Sequence, residues 1–108
     1  MKKFIWLSYD LGIQGDYEGL YAWLDEHNAL ECGESLAGLN YEFNDDLITS
    51  LKNELKSDFD INNKTRIYVI YKDTDSNKVK GKFIFGKRKN SPWTGYSLRE
   101  VEEEDYDG

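Results

Sequence analysis

The sequence RIYVIYKDTDSNKVKGKFIF, residues 66–85, decides the fold class. Its first six residues are mainly β-branched and aromatic, which is typical of a strand. The polar residues 73–77 predict a turn, and the alternation of apolar side chains with lysine from 78 to 85 predicts a second strand. Because a doubly wound parallel sheet would require another helix after residue 71, this hairpin favours an antiparallel or mixed sheet.

Two helices and further strands precede the hairpin. Residues 4–11 have apolar side chains on both faces and predict a buried central strand. Acidic or amide residues before two apolar stripes predict helices over about 16–28 and 44–59. Between them, alternating residues predict a strand over about 34–43, bulged or broken at Gly38.

The predicted order is strand, helix, strand, helix, strand, strand. Since both helices are amphipathic on one side, we expect a ferredoxin-like α+β sandwich, with an antiparallel or mixed sheet of four to five strands and two helices on one face. Residues 1–98 form this single domain. Residues 99–108 carry six acidic side chains and one basic side chain, which predicts an acidic, flexible C-terminal tail.

The composition indicates a folded, soluble protein. Of the 108 residues, 39% are hydrophobic and 15% aromatic, which is too apolar for a disordered acidic chain. The single cysteine, Cys32, excludes an intramolecular disulfide and indicates a reducing compartment, with its thiol buried and inert. The first apolar run ends at Leu7, too early for a signal core or a membrane span. We therefore expect a cytoplasmic protein with no membrane partner.

Charge is distributed unevenly along the chain. The net charge is -7, yet residues 78–89 contain six basic side chains and no acidic one. These side chains could contact phosphates while a nearby tryptophan stacks on a base. They could equally form the solvated face of an edge strand, or be shielded by the acidic tail. The candidate nucleic-acid-binding residues are Lys78, Lys80, Lys82, Lys87, Arg88, Lys89 and Trp93.

Two further residues could carry chemistry. Asp10 follows the first strand, and a twofold axis would bring two such carboxylates together around Mg²⁺ or Mn²⁺. Alternatively, Asp10 accepts backbone hydrogen bonds in the turn at Gly12. His27 lies near the end of the first predicted helix, where an imidazolium interacts favourably with the helix dipole, so we interpret it as structural rather than catalytic.

The first strand ends in Tyr9-Asp10, a helix follows Asp16-Tyr17, and a second helix begins at Asp46-Leu47. Over about residues 4–71 this pattern resembles the small CRISPR-associated ferredoxin-like nuclease family and its SinR-like and VapD-like relatives. The resemblance implies a homodimer in which Asp10 is the metal ligand and catalytic residue of a Mg-dependent endonuclease. Members of that family are typically richer in basic residues than this chain.

Three functions follow from these features. We expect a small homodimeric binding or assembly protein associated with a nucleic-acid-processing system, with a protein or a nucleic acid as its partner and no cofactor. The first alternative is a metal-dependent nuclease with Asp10 at a dimer-interface active site and Mg²⁺ or Mn²⁺ as cofactor. The second is an acidic inhibitor or decoy of a DNA-binding protein. The net charge of -7 disfavours the nuclease, because phosphate binding relies on lysine and arginine.

Overall fold

The computed structural model describes residues 1–97, which form an antiparallel five-stranded sheet and two helices. The predicted α+β class is confirmed. The predicted tail, residues 99–108, lies outside the described residues.

The elements are β1 (Lys2–Asp10), α1 (Tyr17–Glu26), β2 (Leu30–Gly33), β3 (Leu36–Glu42), α2 (Leu47–Asp58), β4 (Arg66–Lys72) and β5 (Val79–Phe85). The first six follow the βαββαβ order of a ferredoxin-like sandwich, and a fifth strand extends the sheet. The strand order in the sheet is β2-β3-β1-β4-β5.

Strand β1 lies at the centre of the sheet, between β3 and β4. Its side chains Ile5 and Leu7 are fully buried against the helices. The alternate side chains Phe4 and Trp6 point to the opposite face and are 36% and 37% exposed. The prediction of a central strand is confirmed, but the prediction that both its faces are buried is wrong, because both helices cover the same face.

Each helix begins where its sequence predicts. The Asp16 carboxylate accepts a hydrogen bond from the Gly19 N–H at 2.9 Å, and the Asp46 carboxylate accepts one from the Thr49 N–H at 2.9 Å. These contacts satisfy backbone donors that a helix start leaves unpaired. Within residues 1–97, no helix is long and apolar enough to cross a membrane. The helices bury Leu20, Trp23, Leu24, Leu47, Leu51 and Leu55 in the core.

The segment predicted as one strand over 34–43 is a hairpin of two strands, β2 and β3. The chain reverses at Ser35, whose φ is 61°, and the bulge lies in β2 between Glu31 and Gly33 rather than at Gly38. Strand β3 continues through Gly38 because the Phe4 ring lies against it. Cys32 is exposed on β2, the outermost strand, so the prediction of a buried thiol is wrong.

A second irregularity lies between β4 and β5. The register shifts between Ile67 and Tyr68, which places both Ile84 and Phe85 in the core. Beyond the shift, Phe83 lies opposite Tyr68, on the sheet face that the helices leave open. We call this the uncovered face. Its residues on the three strands nearest to this pair are Lys2, Phe4, Trp6, Ser8, Asp10, Arg66, Tyr68, Ile70, Lys72, Val79, Gly81 and Phe83.

Candidate nucleic-acid interface

Two pairs of aromatic rings lie on the uncovered face. Phe4 and Trp6 of β1 meet edge to face, with ring centroids 4.9 Å apart. Tyr68 of β4 and Phe83 of β5 meet in the same way at 4.7 Å. Because β1 and β4 are neighbouring strands, both pairs lie on the same face, where Trp6 is opposite Ile70 and Tyr68 is opposite Ser8. We call these four rings the aromatic surface.

Two of these rings lie close to glycines in neighbouring strands. A Cβ atom built on Gly38 would lie 2.8 Å from the Phe4 ring, and one built on Gly81 would lie 2.4 Å from the Tyr68 ring. Both distances are too short for a real side chain. Each ring therefore lies close to the neighbouring backbone, and glycine at that strand position leaves room for this approach.

Arginine side chains lie beside the second aromatic pair. The Arg88 guanidinium carbon is 5.5 Å from the centroid of Tyr68 and 5.5 Å from that of Phe83. The Arg66 guanidinium carbon is 5.6 Å from the Phe83 centroid. These are cation–π distances, so the rings help to orient both guanidinium groups. The sequence analysis identified Arg88 but missed Arg66, which lies in an apolar strand and shows no local sign of a binding role.

Asp10 lies next to Arg66 across the β1–β4 pair. One carboxylate oxygen accepts a hydrogen bond from the Gly12 N–H at 3.1 Å, and the other is 4.0 Å from Arg66 Nη1. Among the described residues there is no group of three or more His, Cys, Asp or Glu side chains that could hold a metal ion. A metal role for Asp10 stays a prediction. Asp10 lines a cavity of about 200 Å³ with Ser8, Arg66, Tyr68, Phe83 and Arg88.

A larger cavity of about 430 Å³ adjoins this one and shares Arg66 and Arg88 with it. We call it the basic cavity, because every charged side chain that lines it within the described part of the chain is cationic. Three of the predicted residues meet here, and Lys64 and Arg66 join them from the preceding turn and strand. The lining residues are Asn63, Lys64, Arg66, Gly86, Lys87, Arg88 and Lys89.

The other predicted residues lie elsewhere. Lys80 and Lys82 face the helix side of the sheet, opposite Tyr71 and Val69, and the Lys80 ammonium lies 3.3 Å from the Asp73 carboxylate. Lys78 is exposed just before β5, and Trp93 is 71% exposed in the turn that follows the sheet. The lysines of β5 therefore lie on the helix side, whereas Arg88, which follows the strand, lies over rings of the uncovered face.

A separate polar cluster joins the two helices on the covered side. His27 follows α1; its Nδ1 lies 2.7 Å from the Trp23 carbonyl oxygen, and its Nε2 lies 3.3 Å from the Glu54 carboxylate of α2. The Tyr41 hydroxyl donates to the other Glu54 oxygen and contacts Ser50 at 3.0 Å. Burial, helped by the bond to Glu54, raises the pKa of Tyr41 to about 12. The cluster connects α1, α2 and β3, which is a structural role.

The uncovered face and the basic cavity together present exposed aromatic rings and cationic side chains, the two kinds of group found in proteins that bind single-stranded nucleic acid. Exposed rings can stack on bases, and guanidinium and ammonium groups can bind phosphates. A single carboxylate, in contrast, supplies too few ligands for Mg²⁺ without a second subunit. Comparison with protein-family models, with curated proteins and with solved structures finds no match for this chain.

Proposed function

We propose that this protein is a binding module for single-stranded nucleic acid, which lies across the uncovered face. The observation that carries the proposal is the position of Arg88. Its guanidinium lies over both Tyr68 and Phe83, and the same side chain lines the basic cavity. One residue thus connects a stacking surface to a phosphate-binding surface, the combination by which proteins bind single strands.

The exposed rings of β1 are the positions for bases. Phe4 and Trp6 each leave more than a third of their surface accessible, and no cation is stacked on them in the described structure. Sheets that carry helices on one face recognise RNA on the other by stacking bases on such aromatic side chains. In this arrangement Trp6 and Phe4 stack on bases, while Arg66 and Arg88 bind the adjoining phosphates.

The acidic balance of the whole chain does not oppose this proposal, because binding depends on local charge. Residues 99–108 account for five of the seven net negative charges. Acidic side chains of the described residues lie mainly in the helices, the turns and β2, whereas the basic cavity has none. A strand that approaches the basic cavity therefore meets a positive potential, which attracts phosphate over about 8 Å at physiological salt.

The two sheet edges offer a separate surface for self-association. Leu30, on the short outer strand β2, is 62% exposed, whereas the other edge, β5, carries lysines that discourage pairing between chains. Pairing through β2 would build the expected homodimer and leave the uncovered face free. Light scattering should then report twice the mass of one chain, and a monomer at high concentration would contradict the dimer. The role in a nucleic-acid-processing system remains part of this proposal.

The test is fluorescence anisotropy with a labelled oligonucleotide at about 50 mM salt, where phosphate contacts are strong. The parent protein is expected to bind a single strand more tightly than the duplex of the same sequence. Trp6→Ala and Arg88→Gln should each weaken binding by about fivefold or more, since stacking is worth about 1–3 kcal/mol per base. Tyr21→Ala and Lys52→Gln are matched controls on the helices, and their affinity should be unchanged.

Absence of binding at that salt concentration, or a loss in the controls equal to that in the site variants, would contradict the proposal. Circular dichroism melting of each variant separates lost binding from lost fold. Tighter binding to duplex than to single strand would also contradict it, because the rings can stack only on bases that are not paired.

A metal-dependent nuclease is the second candidate, because Asp10 lines the same small cavity as Arg66 and Arg88. A phosphate bound by these arginines would lie beside the carboxylate. In this alternative Asp10 is the catalytic residue and metal ligand, and a partner subunit supplies the further carboxylate for Mg²⁺ or Mn²⁺. Mg-dependent cleavage of single-stranded DNA or RNA is the activity to measure.

A further inference from the structure

We propose that the basic cavity binds the terminal phosphate of a nucleic-acid strand, so that the protein prefers phosphorylated strand ends. This inference rests on the proposed function, because it assigns the cavity to one part of the strand that the uncovered face binds. It concerns a site that lies beside the aromatic surface rather than on it.

The cavity lies where a strand on the uncovered face would leave the sheet. Arg66 is the first residue of β4, and Gly86 directly follows the last residue of β5, the outermost strand on that side. Arg88 lines both the basic cavity and the small cavity next to Tyr68 and Phe83. A strand that passes the second aromatic pair therefore reaches the basic cavity with its next phosphate.

The charge of the lining selects the kind of phosphate. Among residues 1–97, five cationic side chains and one amide line the cavity, with no carboxylate among them. A phosphodiester inside a strand carries one negative charge, whereas a terminal phosphate carries about -1.5 to -2 at pH 7 and offers three strong acceptor oxygens. Because Coulomb attraction grows with the charge of the ligand, this lining favours the terminal group. The volume of about 430 Å³ lies within the range of small-ligand sites.

One wall of the cavity is held by the turn that precedes β4. The Asn62 side-chain oxygen accepts a hydrogen bond from the Lys64 N–H at 2.8 Å. The Asn62 N–H in turn donates to the Thr65 hydroxyl at 3.1 Å, and Thr65 is only 3% exposed. These bonds fix the backbone that carries Lys64 before any ligand binds.

The other wall is held by the turn after β5. Gly86 has a φ of 78°, and a Cβ at this position would lie 2.8 Å from Arg66 Cγ, so only glycine fits without strain. Arg66 Nε donates to the Lys87 carbonyl oxygen at 3.2 Å, which ties the turn to β4. With the backbone of both walls fixed, little backbone entropy is lost when an anion binds, and the remaining cost is the ordering of the exposed lysine side chains.

The experiment compares three oligonucleotides of one sequence, which carry a 5′-phosphate, a 3′-phosphate or hydroxyl groups at both ends. Anisotropy with the full chain should show about tenfold tighter binding of one phosphorylated strand, or about 1.4 kcal/mol. The end that gives this gain defines the polarity of the bound strand. Lys87→Gln and Lys89→Gln, singly and together, should remove the preference, while Lys52→Gln on α2 should retain it.

Equal affinity for phosphorylated and hydroxyl ends would overturn this inference and leave the proposed function standing. A preference that survives in the Lys87→Gln/Lys89→Gln protein would also overturn it, because the phosphate would then bind elsewhere. Calorimetric titration with inorganic pyrophosphate tests phosphate binding by the basic cavity in the absence of nucleic acid. If no oligonucleotide binds but pyrophosphate does, and its binding requires Lys87 and Lys89, the proposed function fails and the cavity is confirmed as a phosphate site.

Discussion

Tyr68 lies across Gly81, and a Cβ atom built on Gly81 would stand 2.0 Å from the Tyr68 hydroxyl oxygen. The tyrosine belongs to β4 and the glycine to β5, so the ring fills the space that a side chain at position 81 would occupy. The Tyr68 ring also contacts Phe83, and the Arg88 guanidinium carbon lies 5.5 Å from its centroid. Because position 81 has no side chain, the Tyr68 ring can occupy its place at the centre of the proposed interface.

Replacement of this glycine gives the first prediction. Alanine is ordinarily the better residue inside a strand, yet Gly81→Ala should lower the free energy of unfolding by about 1–3 kcal/mol, because the Tyr68 ring must move. It should also weaken binding of single-stranded nucleic acid. In a Tyr68→Ala protein the same replacement should cost nothing. Urea unfolding of the parent, Gly81→Ala, Tyr68→Ala and double variants measures the unfolding free energies, and fluorescence anisotropy measures binding. An equal loss of unfolding free energy in the parent and Tyr68→Ala backgrounds would contradict this packing.

The second prediction concerns Gly19, and it too is the opposite of what the helix propensities of glycine and alanine alone predict. Alanine in a helix is favoured over glycine by about 1 kcal/mol. A Cβ at position 19, however, would lie 2.4 Å from Phe59 Cβ and 2.5 Å from the Asp16 carboxylate. Gly19→Ala should therefore lower the melting temperature, as overpacking costs about 1–3 kcal/mol. Ser57→Ala, at an exposed position of α2, is the control, and a stabilised Gly19→Ala protein would refute the close contact.

The features that the sequence predicted correctly depend on nearby residues. Asp16 and Asp46 cap the helices within one turn of chain, and the turn at 73–77 follows from its own side chains. Which element packs against each face of a strand, in contrast, depends on residues far away in the sequence. Phe4 and Trp6 looked like core residues because β1 is apolar on both faces, and the sequence does not show which of the two faces the helices cover.

The proposed binding site also combines residues that are close in the sequence with one that is distant. Lys87, Arg88 and Lys89 are neighbours in a visible run of basic residues, whereas Arg66 lies some twenty positions earlier within an apolar strand. The pairing of β4 with β5 brings them together. A one-residue shift in that pairing would exchange the faces of the side chains, so the bulge at Ile67 and Tyr68 decides which residues reach the core.

Tyr41 gives a prediction for alkaline pH. Its pKa is raised to about 12, chiefly by burial, against 10.0 for an unperturbed tyrosine. The folded protein thus holds this proton more tightly than the unfolded chain does. The stability that this difference contributes is fully present below about pH 10 and is lost as the pH rises through about 12.

The unfolding free energy of the parent protein should therefore fall more steeply than that of Tyr41→Phe above about pH 10, by up to about 1.4 kcal/mol per pH unit. The comparison isolates Tyr41 from other tyrosines, such as Tyr9, whose pKa is also raised by burial. Urea unfolding followed at several pH values provides the measurement. Parallel curves for the two proteins would contradict the assignment.

Deletion of residues 100–108 tests the role of the acidic segment. It removes six acidic side chains and no basic one, which changes the net charge from -7 to -1. We expect the melting temperature to be nearly unchanged and the affinity for single-stranded nucleic acid to rise most at low salt, because electrostatic repulsion of the strand falls. Unchanged affinity would exclude shielding by this segment, and a large loss of melting temperature would show that it supports the fold.

Asp10→Asn separates a binding module from a nuclease. Asparagine retains an oxygen to accept the hydrogen bond from the Gly12 N–H, but it removes the negative charge 4.0 Å from Arg66 Nη1. In a binding module this leaves Arg66 free for phosphate, so affinity should rise by up to about fivefold, the scale of an exposed ion pair. In a nuclease the same change should abolish Mg-dependent cleavage while the strand still binds. We expect the parent protein to bind without cleaving; robust cleavage that disappears in Asp10→Asn would establish the nuclease instead.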